Sequence, residues 1–161
     1  MSTQESNLSE APIRSAPVAR DDCGMALATE LLGDRWTLLI LREAFYGVSR
    51  FDDLRADLTI PRGILSTRLK ALVGAGLLVK TPYRQGRDRV RNAYQLSPMG
   101  KDLALTLIAL MQWGERHLQT GPSPVRVTDR LTGKKLHIAL VTPDGQAVPA
   151  EQVDFQIVSE P

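Results

Sequence analysis

The most basic part of the chain is a short stretch between two segments of strand-forming composition. Residues 80–91 contain one acidic side chain, and their five basic ones are Lys80, Arg84, Arg87, Arg89 and Arg91. Because the whole chain carries a formal charge of only +2, attraction for a polyanion must come from where the charges lie. Clustered arginines bind phosphates and can reach into a nucleic-acid groove. The alternative interpretation of this cluster is a solvated surface loop.

A second candidate surface lies on residues 61–76, which have the composition of a helix. At 100° per residue, one side is free of acidic residues and carries Arg62, Gly63, Ser66, Thr67 and Lys70. The inward side is predicted to consist of Ile60, Ile64, Leu65, Ala71 and Leu72, flanked by Leu69 and Val73. Small residues between two cations suit close approach to a phosphate-walled groove. Arg62 is the best candidate for a base edge, and Arg68 is expected to pair within the protein.

Catalytic and metal-binding patterns are not found in the sequence. It has no glycine-rich phosphate loop, nucleophile elbow or paired metal-ligand motif, so we expect no enzyme activity, no cofactor and no metal. The single cysteine, Cys23, excludes an intramolecular disulfide. Two readings of Cys23 stay open: a small buried apolar residue, or a thiol that responds to oxidants.

The composition is that of a globular protein. Of 161 residues, 43% are hydrophobic and 24% charged, which is enough to build a core. Neither a secretory leader nor an apolar run of 18 residues is present, so we expect a cytoplasmic protein with no membrane partner.

Four helices are predicted before the basic stretch. The first covers residues 23–32 and stops at Gly33, and Asp34 caps a strongly apolar second helix that ends near Gly47. Ser49 is expected to cap a short third helix over 50–58. Thr59 and Pro61 are expected to begin the fourth, which closes at residues 74–76. Two short helices joined by a tight link make a helix-turn-helix.

Residues 77–83 and 90–97 are predicted to form a two-stranded hairpin, with Gly86 available for a positive φ at its tip. We call this hairpin the wing. Ser97 and Pro98 then begin a long helix that is apolar on nearly all sides. Such a helix needs covering by a second copy of the chain, and the predicted dimer contacts are Leu103, Leu107, Leu110, Met111 and Trp113.

The two ends of the chain differ from this central part. Residues 1–20 are polar and aperiodic, which predicts a disordered tail. Residues 121–161 contain three short alternating runs, at 125–129, 135–141 and 153–158, which predict a small β appendage. The expected fold is therefore mainly α with a small amount of β: a winged helix-turn-helix domain over 21–120 with a C-terminal dimerisation helix, followed by a hairpin-rich appendage.

Four segments resemble one known family. "LLGDRWTLLILREAFYGVSRFDDL", "ILSTRLKALVGAGLL", "YQLSPMGKDL" and "ALMQWGERHL" are similar, in this order, to HxlR-type winged helix-turn-helix transcriptional regulators, which are relatives of the MarR group. The resemblance covers about residues 23–118. It implies a homodimer that binds DNA through a recognition helix at 61–74 and a wing at 77–97. It also places Cys23 where some members carry a cysteine that senses electrophiles or oxidants.

The appendage departs from the family pattern. Longer relatives end in a zinc-ribbon-like module with cysteine pairs, whereas the turns at 132–133 and 142–145 lack thiols, so metal binding is not expected here.

The sequence and the resemblance thus predict a sequence-specific, dimeric DNA-binding transcriptional regulator, with a repressor favoured over an activator. Its expected partners are double-stranded DNA, a second copy of itself and a small-molecule effector or oxidant. The alternative is a winged-helix module that docks a protein partner through its β appendage.

Overall fold

The computed structural model describes residues 18–84, 86 and 89–157. The predicted disordered tail covers residues 1–20, and residues 1–17 lie outside the described residues. At the end of that segment, a 3₁₀ turn runs over Arg20–Asp22. The helices are α1 (Gly24–Leu32), α2 (Arg35–Phe45), α3 (Phe51–Leu58), α4 (Arg62–Gly74), α5 (Pro98–Asp102) and α6 (Ala104–His117). The strands are β1 (Leu78–Tyr83), β2 (Arg91–Leu96), β3 (Leu140–Val141) and β4 (Ala147–Val148). This is the predicted winged helix-turn-helix fold.

The central helix of the core is α2, and its start was predicted correctly. The Asp34 carboxylate accepts hydrogen bonds from the backbone N–H groups of Trp36 and Thr37, at 3.0 and 3.1 Å, which satisfies two of the unpaired donors at a helix N-terminus. Further along α2, Ile40 and Leu41 are fully buried. The core cluster consists of Ile40, Leu41, Leu54, Ile60, Leu65, Leu69, Leu72, Leu77 and Leu78.

Two predicted caps are wrong. The N-cap residue of α3 is Arg50 and not Ser49. Ser49 is held by the wing, because its carbonyl accepts a hydrogen bond from Tyr94 N at 2.7 Å. Thr59 ends α3 in a left-handed conformation, with φ 50°. Pro61 in extended conformation is the N-cap of α4.

The predicted inward face of α4 is also partly wrong. Leu65, Leu69 and Leu72 are the buried residues of this helix, so Leu69 is central where it was expected to flank. Ile64 is 39% exposed and Ala71 is exposed. The reason is that α4 packs on α2 and β1 along an i, i+4, i+7 stripe that begins at Leu65.

The wing is an antiparallel hairpin with Leu78 opposite Leu96 and Tyr83 opposite Arg91. Gly86 has the predicted positive φ, 60°, at the tip of the hairpin. Of the tip residues, 85, 87 and 88 fall outside the described residues.

The predicted long C-terminal helix is interrupted. Ser97 caps α5 as predicted, since its hydroxyl accepts from Gly100 N at 2.9 Å, and it also donates to Gly76 O at 2.5 Å. Gly100 lies so close to the Leu77 carbonyl that a Cβ would overlap that oxygen. These contacts hold α5 against the base of the wing, and the chain turns at Leu103 before α6 begins.

The appendage contains less strand than predicted. It has the two-residue strands β3 and β4, which pair with each other, and an isolated bridge between Thr128 and Lys135. The predicted third strand is wrong in its described part, 153–157, which has no regular structure. It follows a 3₁₀ turn, Ala150–Gln152, and no strand among the described residues pairs with it.

Each helix in the part of the chain that the structure describes is too short or too polar to cross a membrane.

Candidate nucleic-acid interface

The predicted contact residues of α4 share one exposed surface. They are Arg62, Gly63, Ser66, Thr67 and Lys70, and all five are exposed. The Thr67 hydroxyl donates to the Gly63 carbonyl at 3.0 Å. The helix buries its opposite stripe in the core, so this surface is the one it presents outward.

The Arg62 guanidinium lies beside an aromatic residue of α3, Phe51. The Arg62 guanidinium lies 5.6 Å from the centre of the Phe51 ring. Cation–π attraction at this distance is worth about 0.5–1 kcal/mol at exposed sites. Arg62 stands at the start of α4 and Phe51 at the start of α3, so the contact joins the first turns of the two helices.

An open groove of about 510 Å³ connects α4 with the wing. Among the described residues, its lining consists of Phe51, Asp52, Arg62, Tyr83, Arg89, Val90, Arg91, Asn92 and Tyr94. Three of the predicted DNA contacts, Arg62, Arg89 and Arg91, are therefore brought together. Arg84 is exposed just after β1 and does not line the groove, and Arg87 lies outside the described residues.

Arg91 is paired with an acidic residue, which the sequence did not predict. Arg91 Nη1 donates to Asp52 Oδ2 at 2.7 Å, and the two side chains are 55% and 60% exposed. Asp52 lies in the first turn of α3, where a negative charge interacts favourably with the helix dipole. The composition of the segment gave no signal that this acid also faces the wing.

A second link between α3 and the wing involves Arg50, which the sequence analysis did not single out. Its guanidinium lies 4.9 Å from the centre of the Tyr83 ring, and its backbone forms a bridge with Ala93 of β2. Together with the Asp52–Arg91 ion pair, these contacts fix the part of the wing next to its tip, where Tyr83 pairs with Arg91, to the start of α3.

Arg68 pairs internally, as predicted. Its Nη2 donates to Asp34 Oδ2 at 3.1 Å. Arg68 therefore does not belong to the exposed surface of α4 described above, because its charge is directed to the N-terminus of α2.

The residues predicted for the dimer contact are divided between two environments. Leu103 and Leu107 pack against the chain's own core, and Met111 is half-buried. Leu110 and Trp113 are each 49% exposed, with the Trp113 ring 5.4 Å from that of His117.

Cys23 is half-buried and precedes α1 as its N-cap residue, without a side-chain cap hydrogen bond. Within the described part of the chain, no three His, Cys, Asp or Glu side chains are grouped as a metal site would require.

A helix-turn-helix followed by a two-stranded hairpin that packs on its second helix is a winged helix-turn-helix, and here residues of that helix and of the hairpin also line one groove. The chain belongs to one family of that class: the model of the HxlR-like helix-turn-helix family matches residues 31–122. It is a transcriptional regulator with a DNA-binding helix-turn-helix domain.

Individual relatives agree with this assignment. The chain is 43% identical over 129 residues to Rv3095, an HTH-type transcriptional regulator of Mycobacterium tuberculosis (strain ATCC 25618 / H37Rv), and the match covers 78% of this chain and 80% of that protein. The solved structure of the transcription factor PA1607 superimposes with a TM-score of 0.72 at 32% identity, covering 83% of this chain and 94% of PA1607. The transcription factor PA1374 from Pseudomonas aeruginosa gives 0.58 at 35% identity, covering 84% and 92%.

Proposed function

We propose that the protein is a dimeric repressor that places α4 in the major groove of an operator and the wing beside it. The observation that carries this proposal is the groove shared by Arg62, Arg89 and Arg91. A duplex lying along that groove would meet Arg62 at base edges and Arg89 at phosphates.

The charges on this surface support DNA over a protein partner. The exposed face of α4 has no acidic residue, and Asp52, the one acid among the described residues that line the groove, is paired with Arg91. Two copies of such a surface are expected to neutralise roughly six to ten phosphates. Affinity would then fall steeply as salt concentration rises.

The second copy would cover the apolar side chains that α6 leaves exposed. Leu105 is 67% exposed, and Leu110 and Trp113 are 49% exposed, which is unusual for large side chains on one helix. A two-fold dimer would place the recognition helices in successive major grooves about 34–36 Å apart on a pseudo-palindromic operator. Repression follows if that operator overlaps a promoter, because the bound dimer then excludes the polymerase.

A shallow apolar groove gives a place for an effector. It has a volume of about 240 Å³ and lies between α2 and α6, lined by Leu38, Leu39, Arg42, Tyr46, Leu107, Ile108, Leu110 and Met111. We assign it a small aromatic effector, whose binding would raise the melting temperature of the full chain. Three lining residues belong to the proposed dimer contact, so an effector would also change dimer stability. Oxidation of Cys23 is the other regulatory route.

Salt titration of binding tests the DNA assignment. The probe is duplex DNA from upstream of the chain's own gene. Arg89→Ala should weaken binding to the upstream duplex and to random DNA alike, while Arg62→Ala should also reduce the preference between them. Arg130→Ala, an exposed arginine in the appendage, is the matched control. An affinity independent of salt, or an Arg89→Ala variant equal to the parent, would refute the proposal.

Sedimentation velocity tests the dimer. Leu110→Glu should give a monomer, because it places a charge in the proposed contact, whereas Leu131→Glu on the appendage should leave the dimer intact. A parent chain that sediments as a monomer at micromolar concentration counts against the dimer.

The appendage supports a second candidate function, docking of a protein partner. Leu131 and Phe155 are 94% and 92% exposed, and large exposed apolar groups often mark an interaction surface. Docking of a protein partner becomes the favoured function if the parent chain shows no salt-dependent DNA binding.

A further inference from the structure

Among the described residues that line the basic groove, Asp52 is the only acid. We propose that Asp52 is a specificity-determining residue: it withholds Arg91 from phosphates and so limits binding to DNA of arbitrary sequence. This inference rests on the proposed DNA-binding function and deepens it.

The ion pair with Asp52 determines where the Arg91 guanidinium lies within the groove. Arg91 is the first residue of β2, directly across from Tyr83 in the hairpin. Its Nη1 is 2.7 Å from Asp52 Oδ2, so the guanidinium points toward α3. One of the wing's cations is therefore already neutralised when DNA arrives, whereas Arg62 and Arg89 line the same groove without an ion pair to any described residue.

The exposure of the pair argues against a purely structural role. Both side chains are more than half exposed, and exposed ion pairs contribute little to folding stability because water and salt screen them. Their position in the groove gives them a larger effect on a nearby polyanion than on the fold itself.

Specificity is a difference between two affinities, and an acid in the groove lowers the non-specific one. Phosphate contacts by wing cations are the same for every sequence, while a base contact by Arg62 depends on the sequence. Asp52 removes one phosphate contact and adds repulsion toward the backbone. Binding then relies more on the contacts that distinguish one sequence from another.

The rival explanation is that Asp52 affects DNA binding only through its favourable interaction with the dipole of α3 or through the net charge of the protein. Asp53 separates these explanations. It occupies the same first turn, is exposed, does not line the groove and has no ion pair to another described residue. Asp53→Asn changes the net charge, and the interaction of the first turn with the helix dipole, to the same extent as Asp52→Asn does.

The test is fluorescence anisotropy of the full chain with two duplexes of equal length, between 50 and 200 mM KCl. One duplex is selected by the parent from a randomised pool, and the other is random. Asp52→Asn should bind the random duplex more tightly than the parent at 50 mM. Its log–log salt slope should be steeper by about 0.9 per subunit, which is the effect of one regained phosphate contact. This adds about a threefold fall in affinity per subunit over that salt range.

The ratio of selected to random affinity should fall for Asp52→Asn and stay at the parental value for both Asp53→Asn and Asp52→Glu. Asp52→Glu is the conservative variant that keeps a carboxylate beside Arg91. On an Arg91→Ala background, Asp52→Asn should no longer steepen the slope.

The inference is overturned if Asp52→Asn and Asp53→Asn change both affinities equally, or if the slope of Asp52→Asn matches the parent. Failure of the proposed function gives a different result: the parent then selects no duplex and shows no salt dependence. Melting temperatures within a degree or two of the parent would exclude misfolding of a variant as the cause.

Discussion

Asp34 and Arg68 connect the N-terminus of the core helix α2 to α4 through a single carboxylate. Asp34 Oδ1 accepts from the backbone of α2, and Oδ2 accepts from the Arg68 guanidinium at 3.1 Å. Thirty-four residues separate the two in sequence. The contact fixes α4 relative to α2, and this helps to hold the outward face of α4 where a duplex would meet it.

Removing the Asp34 carboxylate should destabilise the fold. Asp34→Ala loses the cap, worth about 0.5–2 kcal/mol, and the half-exposed ion pair, worth about 0–1 kcal/mol. Urea unfolding followed by far-UV circular dichroism measures the loss. Asp34→Asn is the control, because asparagine caps as well as aspartate and loses the ion pair alone. Equal losses for the two variants would mean that the cap contributes nothing.

The burial pattern of α4 predicts unequal costs for two truncations on one helix. Leu69 is 1% exposed and Ile64 39%. Leu69→Ala should cost about 2–5 kcal/mol because it leaves a cavity, and Ile64→Ala should cost less than about 1.5 kcal/mol because its site is open to water. Urea midpoints at unchanged m-value would show this. A larger loss of unfolding free energy for Ile64→Ala than for Leu69→Ala would mean that α4 has the orientation predicted from sequence.

Gly63 should separate stability from DNA binding. It lies in the first turn of α4, and a Cβ there would meet no atom within 4 Å, so Gly63→Ala should stabilise the helix by up to about 1 kcal/mol. The same methyl would project from the proposed DNA surface and weaken binding. The measurements are thermal unfolding and anisotropy. Gly74→Ala, at the other end of α4 with equally open space, should leave binding unchanged, and tighter binding by Gly63→Ala would contradict the assigned surface.

The turn that begins at Asp129 should be less stable in acid. The hydrogen bond from the Thr132 hydroxyl, followed by that from Leu131 N, holds the pKa of Asp129 below its usual 3.8. Because the folded-state pKa is depressed, the stabilisation is present above pH 3.8 and is lost as the pH falls through the lower folded value. Nuclear magnetic resonance titration should give a midpoint below 3.8 for the Asp129 carboxyl.

Thr132→Val should move that midpoint upward, since it removes the largest cause of the shift. Thr128→Val in the same hairpin, which leaves the Asp129–Thr132 hydrogen bond in place, should not move it. A parental midpoint at or above 3.8 would show that the hydroxyl does not bind the carboxylate in solution.

Features that depend on neighbouring residues were predicted well from sequence. The caps at Asp34 and Ser97 and the positive φ of Gly86 follow from the chemistry of one residue and the few beside it. The outward face of α4 was also predicted, because a helix with an apolar stripe must leave its polar side to solvent. The predicted helix caps at Ser49 and Thr59 were wrong. Contact with the wing determines the backbone at Ser49, and Thr59 adopts the left-handed conformation that ends α3 before the chain changes direction into α4.

The sequence by itself determined the order of the elements and the outward face of α4, since hydrophobic periodicity and capping act over one or two turns. Tertiary structure alone decided what surrounds that face: Phe51 beside Arg62, Tyr83 beside Arg50, and Asp52 paired with Arg91 across 39 residues. These contacts depend on how α3 meets the wing in three dimensions. No local pattern in the chain encodes the distance between two side chains whose segments meet only after folding.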